Sequence, residues 1–228
     1  MTGERAQRPP AVVLDVDGTL VDSVYLHAIA WQRAFRAHGM EVPAWRLHRH
    51  VGMGGDRFVP AVAGDLTERR IGDALREAHD EEFRELVPEV TALPGAAAML
   101  RELADRGHEL VLASSAKDWE VDRYVDMLDA RDVLAGWTTS ADVRTTKPTP
   151  EIIDVALGII GRRDAVMLGD ATWDCIAATR AGIRSLGLLT GGFGRLELLE
   201  AGAVDVLERL EDVPDRLAPP PILTRPST

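Results

Sequence analysis

The chain has 228 residues and a single cysteine, Cys175. One thiol excludes a disulfide within the chain and fits a reducing compartment, where a lone cysteine is most often a small buried residue. Long apolar runs are also missing. None approaches the roughly 18 residues that a membrane-spanning helix needs, and the opening MTGERAQRPP has no apolar stretch of the signal-peptide kind. A cytoplasmic protein with no membrane association is expected. Positive charge is in deficit, with 26 Lys and Arg against 37 Asp and Glu, a net −11. Nucleic acids and anionic membrane surfaces are met by basic patches, so neither is an expected partner. A small anionic ligand would have to be met by a few local cations. There is no internal repeat and no low-complexity domain.

What is present is alternation. Short apolar runs alternate with segments of helical period, the pattern of an α/β protein with a doubly wound parallel sheet. In LPGAAAMLRELADRGHELVLASS, Pro94 suits a first helical position, Gly107 ends the helix, and a strand from about Glu109 to Ala113 leads to Ser114 and Ser115. The pattern recurs in RRDAVMLGDATWDCIAATRAGIRSLGLL. A strand runs to Leu168, a helix continues through Thr179 with Gly182 as its stop, and another strand follows. From Val21 to about Glu89 the chain reads as mostly helical and charged, with a glycine-rich break at VGMGGD and no buried strand. This segment is expected to be an all-helical insertion. The tail APPPILTRPST is proline-rich and is expected to be poorly ordered.

The stretch AVVLDVDGTLVDS concentrates the chemistry. Ala11 to Leu14 reads as a strand covered on both faces, and alternation would point Asp15 and Asp17 the same way from its carboxyl end. Two carboxylates so close call for a cation or a placed proton. In open α/β sheets ligands gather at the carboxyl ends of strands. The same edge should carry Ser114, Ser115 and Asp170, with Lys147 in the loop RTTKPTP. Carboxylates suit a hard cation, and a hydroxyl with an ammonium suits a phosphate.

These residues resemble the haloacid dehalogenase superfamily, in its phosphatase branch, over nearly the whole chain. The motif D-x-D-G-T is matched from Asp15 to Thr19, the strand ending in a hydroxyl by Ser114, the Lys-Pro by Lys147 and Pro148, and G-D-x-x-x-D by Gly169, Asp170 and Asp174. Phosphotransfer receiver domains use similar groups, but there the acids precede the hydroxyl and the lysine, whereas here the last acids follow Lys147. The resemblance implies a Rossmann-like core over 1–21 and 90–228 with a helical cap over 22–89. It implies a phosphatase for a small phosphorylated metabolite, with Asp15 as nucleophile and Asp17 as acid and then base. Mg²⁺ would be held by Asp15, the Asp17 carbonyl and Asp170, with Asp174 in its inner or outer shell. Ser114, Ser115 and Lys147 would bind the phosphoryl oxygens. Gly18 would allow the turn behind the acid pair. A sugar-phosphate mutase of the beta-phosphoglucomutase type would use the same acids, and a catalytically silent binding protein could keep the fold. Halide displacement is disfavoured by the presence of Asp17. Phosphonate hydrolysis is disfavoured because no lysine lies between Val21 and Glu89.

Other features carry less. His48 and His50 in HRHVGMGGD lack the further ligands of a zinc site and are expected to be solvated, and the glycines there do not complete a dinucleotide fingerprint. By resemblance this loop meets the leaving group, which makes Arg49, His50 and Gly52 candidates for specificity. The glycines of TGGFGRLELLEAGA are read as a structural loop. The five tryptophans are read as packing residues, Trp173 as a buttress for the metal ligands. The protein is expected to be a monomer or a homodimer.

Overall fold

The computed structural model describes residues 8–218; residues 1–7 and the proline-rich tail from residue 219 onward lie outside them. Strand β1 (Ala11–Leu14) lies in the middle of a six-stranded parallel sheet. It is flanked by β2 (Leu110–Ala113) and β4 (Ala165–Gly169), with β3 (Leu134–Thr138) outside β2 and β5 (Arg184–Leu188) then β6 (Ala203–Leu207) outside β4. The order is therefore β3-β2-β1-β4-β5-β6. Winding goes outward through β2 and β3, then returns across β1, so the switch point falls between β1 and β4, where a crevice opens at the carboxyl ends of such strands.

Alternation along β1 divides the core. Val12 and Leu14 face a cluster with Leu110, Leu112, Val166 and Leu168. Ala11 and Val13 face the other, with Val111, Ala113 and Met167. Ahead of β2 comes α5 (Ala96–Asp105) and after it α6 (Asp118–Met127); Leu100, Leu103, Val121 and Tyr124 cover the first face. Helices α7 (Glu151–Ile160) and α8 (Thr172–Ala181) cover the second through Ile152, Ile153, Ala177 and Ala178. Near the far edge lie α9 (Arg195–Glu200) and α10 (Val213–Leu217).

Four helices precede α5 in the chain: α1 (Val24–Ala37), α2 (Ala44–His48), α3 (Gly55–Ala63) and the 22-residue α4 (Asp65–Leu86). They bury an apolar cluster of their own around Trp31, Phe35, Leu47, Phe58 and Leu75. Two chain segments connect them to the sheet, and these pair with each other: Asp22 N donates to Thr91 O at 2.8 Å and Leu93 N to Leu20 O at 2.9 Å. That pairing explains one departure from the pattern read in the sequence. Leu93 is tied to Leu20 and Gly95 takes φ +83°, so α5 starts at Ala96 and not at Pro94. Strands β3 and β6 lie at the sheet edges and are only partly buried, and Asp205 interrupts the apolar residues of β6. Among the described residues no helix is long and apolar enough to cross a membrane.

Because Leu14 is fully buried between its two neighbours, Leu14→Ala should lower the unfolding free energy by about 3 kcal/mol. Trp45→Ala, at a side chain 70% exposed, should change it by no more than ~0.5 kcal/mol. Denaturant midpoints of the two variants beside wild type make the comparison.

Candidate active site

Asp15 follows β1 directly, and its own N–H donates to Leu168 O at 3.0 Å, which ties the end of β1 to β4. Its carboxylate is buried and ion-paired with Lys147 Nζ. Lys147 is 1% exposed and lies 2.9 Å from Asp174 Oδ1 as well, an ion-pair contact without hydrogen-bond alignment. The other oxygen of Asp174 accepts from Ala171 N at 3.0 Å, which closes the first turn of α8. Asp170, at the end of β4, accepts from the Thr19 hydroxyl at 2.7 Å. Thr19 stands 3.3 Å from Asp15 Oδ2, so its single hydrogen favours Asp170 and leaves that oxygen of Asp15 lightly held.

Two glycines let the backbone close on Asp170. A Cβ on Gly191 would lie 1.7 Å from Asp170 Oδ2. Gly18, at φ +82°, would place a Cβ 2.5 Å from the same oxygen and is in a region that favours glycine. The glycine-rich loop after β5 is thus structural in a specific sense: it walls in Asp170.

Burial and the neighbouring carboxylates set the charge states. Burial, then repulsion from Asp174, pushes Asp15 up to about 7 against the pull of Lys147. Burial, Asp15 and Asp174 hold Asp170 well above the usual carboxylate range. Burial works against the Lys147 ammonium, but Asp15 and Asp174 outweigh it and raise its pKa. Oxygens of Asp15, Asp170 and Asp174 lie within 4.8 Å of one another. Three buried carboxylates share one buried ammonium, and an all-oxygen donor set with surplus negative charge suits a hard divalent cation.

Asp17 points into a different network. It accepts from Ser23 Oγ at 2.6 Å and faces His27 Nε2 at 3.2 Å. Burial opposes its charge, yet His27 and Ser23 bring its pKa below the ordinary value. His27 is raised in turn, because Asp17 outweighs the cost of burying an imidazolium. The other His27 nitrogen faces His79 Nε2 at 3.3 Å, and burial beside His27 holds His79 well below its ordinary range. Neither histidine is distinguished in the sequence from an ordinary helical residue. Only the docking of α1 and α4 over the strand ends brings them to Asp17.

Asp15, Asp17, His27 and His79 open into a cavity of about 300 Å³ between the sheet edge and the inserted helices. Ser115 lines it and its Oγ is buried without a protein partner, whereas Ser114 is buried with its Oγ accepting from Ala116 N at 3.1 Å. Of the three specificity candidates only Gly52 lines the cavity. Arg49 is turned to α9, where it pairs with Glu197 and lies 4.2 Å over the Phe193 ring. His50 bonds back to Arg46 O at 2.8 Å on the surface of the insert. His48 is buried and not solvated: its Nε2 is 2.9 Å from Gly191 O and its ring stacks on Tyr25. The Trp173 ring lies against Gly52 and His50 of the insert and also packs on the cluster that includes Ala171 and Cys175, next to Asp170 and Asp174 in the chain.

The haloacid dehalogenase-like hydrolase family matches residues 12–188. The chain is 26% identical to validoxylamine A 7'-phosphate phosphatase of Streptomyces hygroscopicus, over 78% of this chain and 84% of that one. It is 29% identical to phosphoglycolate phosphatase of Pseudomonas putida, over 80% and 70%. The crystal structure of a hydrolase from Pseudomonas syringae superposes with a TM-score of 0.85 at 31% identity, over 91% of this chain and 97% of that one.

Asp170→Asn removes one of the three clustered carboxylates and keeps an acceptor for Thr19. It should raise the Tm of the metal-free protein at neutral pH by about 2–6 °C and abolish the Tm increase produced by a divalent cation in wild type. Thermal unfolding with and without the cation, for both proteins, reads the two effects.

Proposed function

The chain belongs to the haloacid dehalogenase-like hydrolase family, and from that premise we propose that it is a Mg²⁺-dependent phosphatase acting on a phosphomonoester of a small metabolite. The observation that carries this reading is a buried Asp15 paired with Lys147 and opening into the same cavity as the Asp17–His27 pair. One carboxylate faces a fixed cation and the other a proton source. The phosphatase names of two relatives support the same class of reaction.

In this reading the inserted helices are a cap over the phosphate end, and the paired segments at Val21 and Ala92 are its attachment. Lys147 fixes one oxygen of Asp15 and leaves Oδ2 as the attacking atom. Asp15 forms a bond to phosphorus while the ester P–O bond breaks, giving an aspartyl phosphate and a leaving alkoxide. The alkoxide takes its proton from the Asp17–His27 pair, which holds one proton between a lowered carboxyl and a raised imidazole. A water then gives a proton back to the pair and attacks phosphorus, the Asp15–phosphorus bond breaks, and inorganic phosphate leaves. Asp15, Asp170 and the Asp17 carbonyl are the groups that would hold Mg²⁺, with Asp174 keeping Lys147 in place. When bound, Mg²⁺ supplies neutralisation of the charge that builds on the phosphoryl oxygens. Ser115, with its free buried hydroxyl, and Lys147 anchor those oxygens, and Ser114 shapes the turn beneath them. A single buried cysteine is consistent with a cytoplasmic site of action.

Phosphate release from a panel of phosphomonoesters should require a divalent cation and stop with EDTA. Asp15→Asn should lower kcat at least ~10³-fold with far-UV circular dichroism unchanged; wild-type rates in that variant would remove the nucleophile assignment. Asp17→Asn should cost about 10²–10⁴-fold in kcat. His27→Asn should cost less, about tenfold, and should displace the pH profile of kcat, because Asp17 then loses the charge that keeps its pKa down. An unshifted profile would show that His27 only packs.

A further inference from the structure

The cavity is lined by Arg76, Lys117, Arg144 and His27, with Lys147 beside Asp15, and all of these but the exposed Arg144 are closely matched by an acid. The Arg76 guanidinium is shared between Glu68, at 2.9 and 3.0 Å, and Asp73, at 2.7 Å, with Gly55 O at 3.1 Å. Lys117 is paired with Asp80. Lys147 is held by Asp15 and Asp174. Arg144 has a side chain 94% exposed and stands 3.6 Å from Glu151. His27 faces Asp17.

Glu120 is the opposite case. It sits in the first turn of α6, 4% exposed, lines the cavity, and forms no ion pair among the described residues. Burial, opposed by His27, pushes its carboxyl up to about 7. Trp31, stacked between Phe58 and His79 with ring centroids at 4.3 and 4.2 Å, forms a rigid apolar wall of the same cavity.

We infer that the leaving group admitted here is a neutral polyhydroxylated carbon skeleton, bonded through a hydroxyl to Glu120, and that a leaving group bearing a carboxylate is rejected. This deepens the phosphatase reading and rests on it. A carboxylate seated beside Glu120 would lose its hydration without gaining an unmatched buried cation and would meet that acid, an unfavourable burial and an element of discrimination at once. A hydroxyl there finds an acceptor whether Glu120 is ionised or not, and a site built around such a bond rejects analogues that cannot make it.

Matched pairs of phosphomonoesters test this, each pair sharing a carbon skeleton and differing in a terminal carboxylate: glucose 6-phosphate with 6-phosphogluconate, erythrose 4-phosphate with 4-phosphoerythronate, glyceraldehyde 3-phosphate with 3-phosphoglycerate. Phosphoglycolate and p-nitrophenyl phosphate complete the set, with full-length enzyme and Mg²⁺. The neutral member of each hydrolysed pair should have a kcat/KM at least ~10-fold above its partner, the scale of one unfavourable charge contact. Glu120→Gln keeps a hydrogen-bond partner and removes the charge, and should narrow that ratio to within about threefold. Preference for the carboxylate member of any pair, efficient turnover of phosphoglycolate, or an unchanged ratio in a folded Glu120→Gln enzyme overturns the inference. Asp15-dependent hydrolysis of p-nitrophenyl phosphate alone also overturns it and leaves the phosphatase reading standing. No phosphate from any compound defeats both.

Discussion

A single buried ammonium organises this molecule. Lys147 stands among Asp15, Asp170 and Asp174 at the switch point of the sheet, and it is 1% exposed. An uncompensated carboxylate at such depth is very costly, and three with one counter-charge remain in excess. Much of the surrounding architecture supports this cluster. Thr19 satisfies Asp170, the Ala171 N–H satisfies Asp174, and Gly18 and Gly191 bring backbone close enough to enclose it. An excess of buried negative charge fits a site made for a divalent cation and a phosphoryl group, which together alter the balance on binding.

The inserted helices contribute a second electrostatic unit that differs in kind. Asp17 lies two residues from Asp15, yet its partners are Ser23 and His27. Adjacent carboxylates on one strand end are therefore driven in opposite directions, Asp15 upward by burial and Asp174, Asp17 downward by His27. Such a separation lets two like groups take different roles in one reaction. It also links chemistry to the position of the helices, because His27 and His79 come from α1 and α4 while Asp17 belongs to the sheet. Any change in how the insert sits alters the surroundings of Asp17 directly.

Much of this was legible in the chain. A buried parallel strand has to be apolar on both faces, so β1, β2 and β4 stand out as continuous runs, and the polar residue that ends each run falls at the ligand-binding edge. That is why Asp15 and Asp170 could be picked out before their distances were known, whereas Lys147 stood in a loop and Asp174 was marked by the family resemblance alone. Edge strand β6 is harder to see for the complementary reason: a partly exposed strand needs no such run, and Asp205 breaks this one. Arg49 and His50 were selected for their place in a loop, but loop side chains turn to whatever partner is nearest, here Glu197 and the Arg46 carbonyl.

The sequence by itself determined the alternation of strand and helix, the spacing of the strand-end acids and the family those spacings mark. These follow from local periodicity and from which residue ends each run, and both are properties of short segments. Only the tertiary structure decided which charges pair: that Lys147 serves Asp15 and Asp174, that His27 serves Asp17, and that Glu120 has no ion-pair partner among the described residues. Electrostatic partners are chosen by distance and burial across elements far apart in the chain, and no local pattern records them.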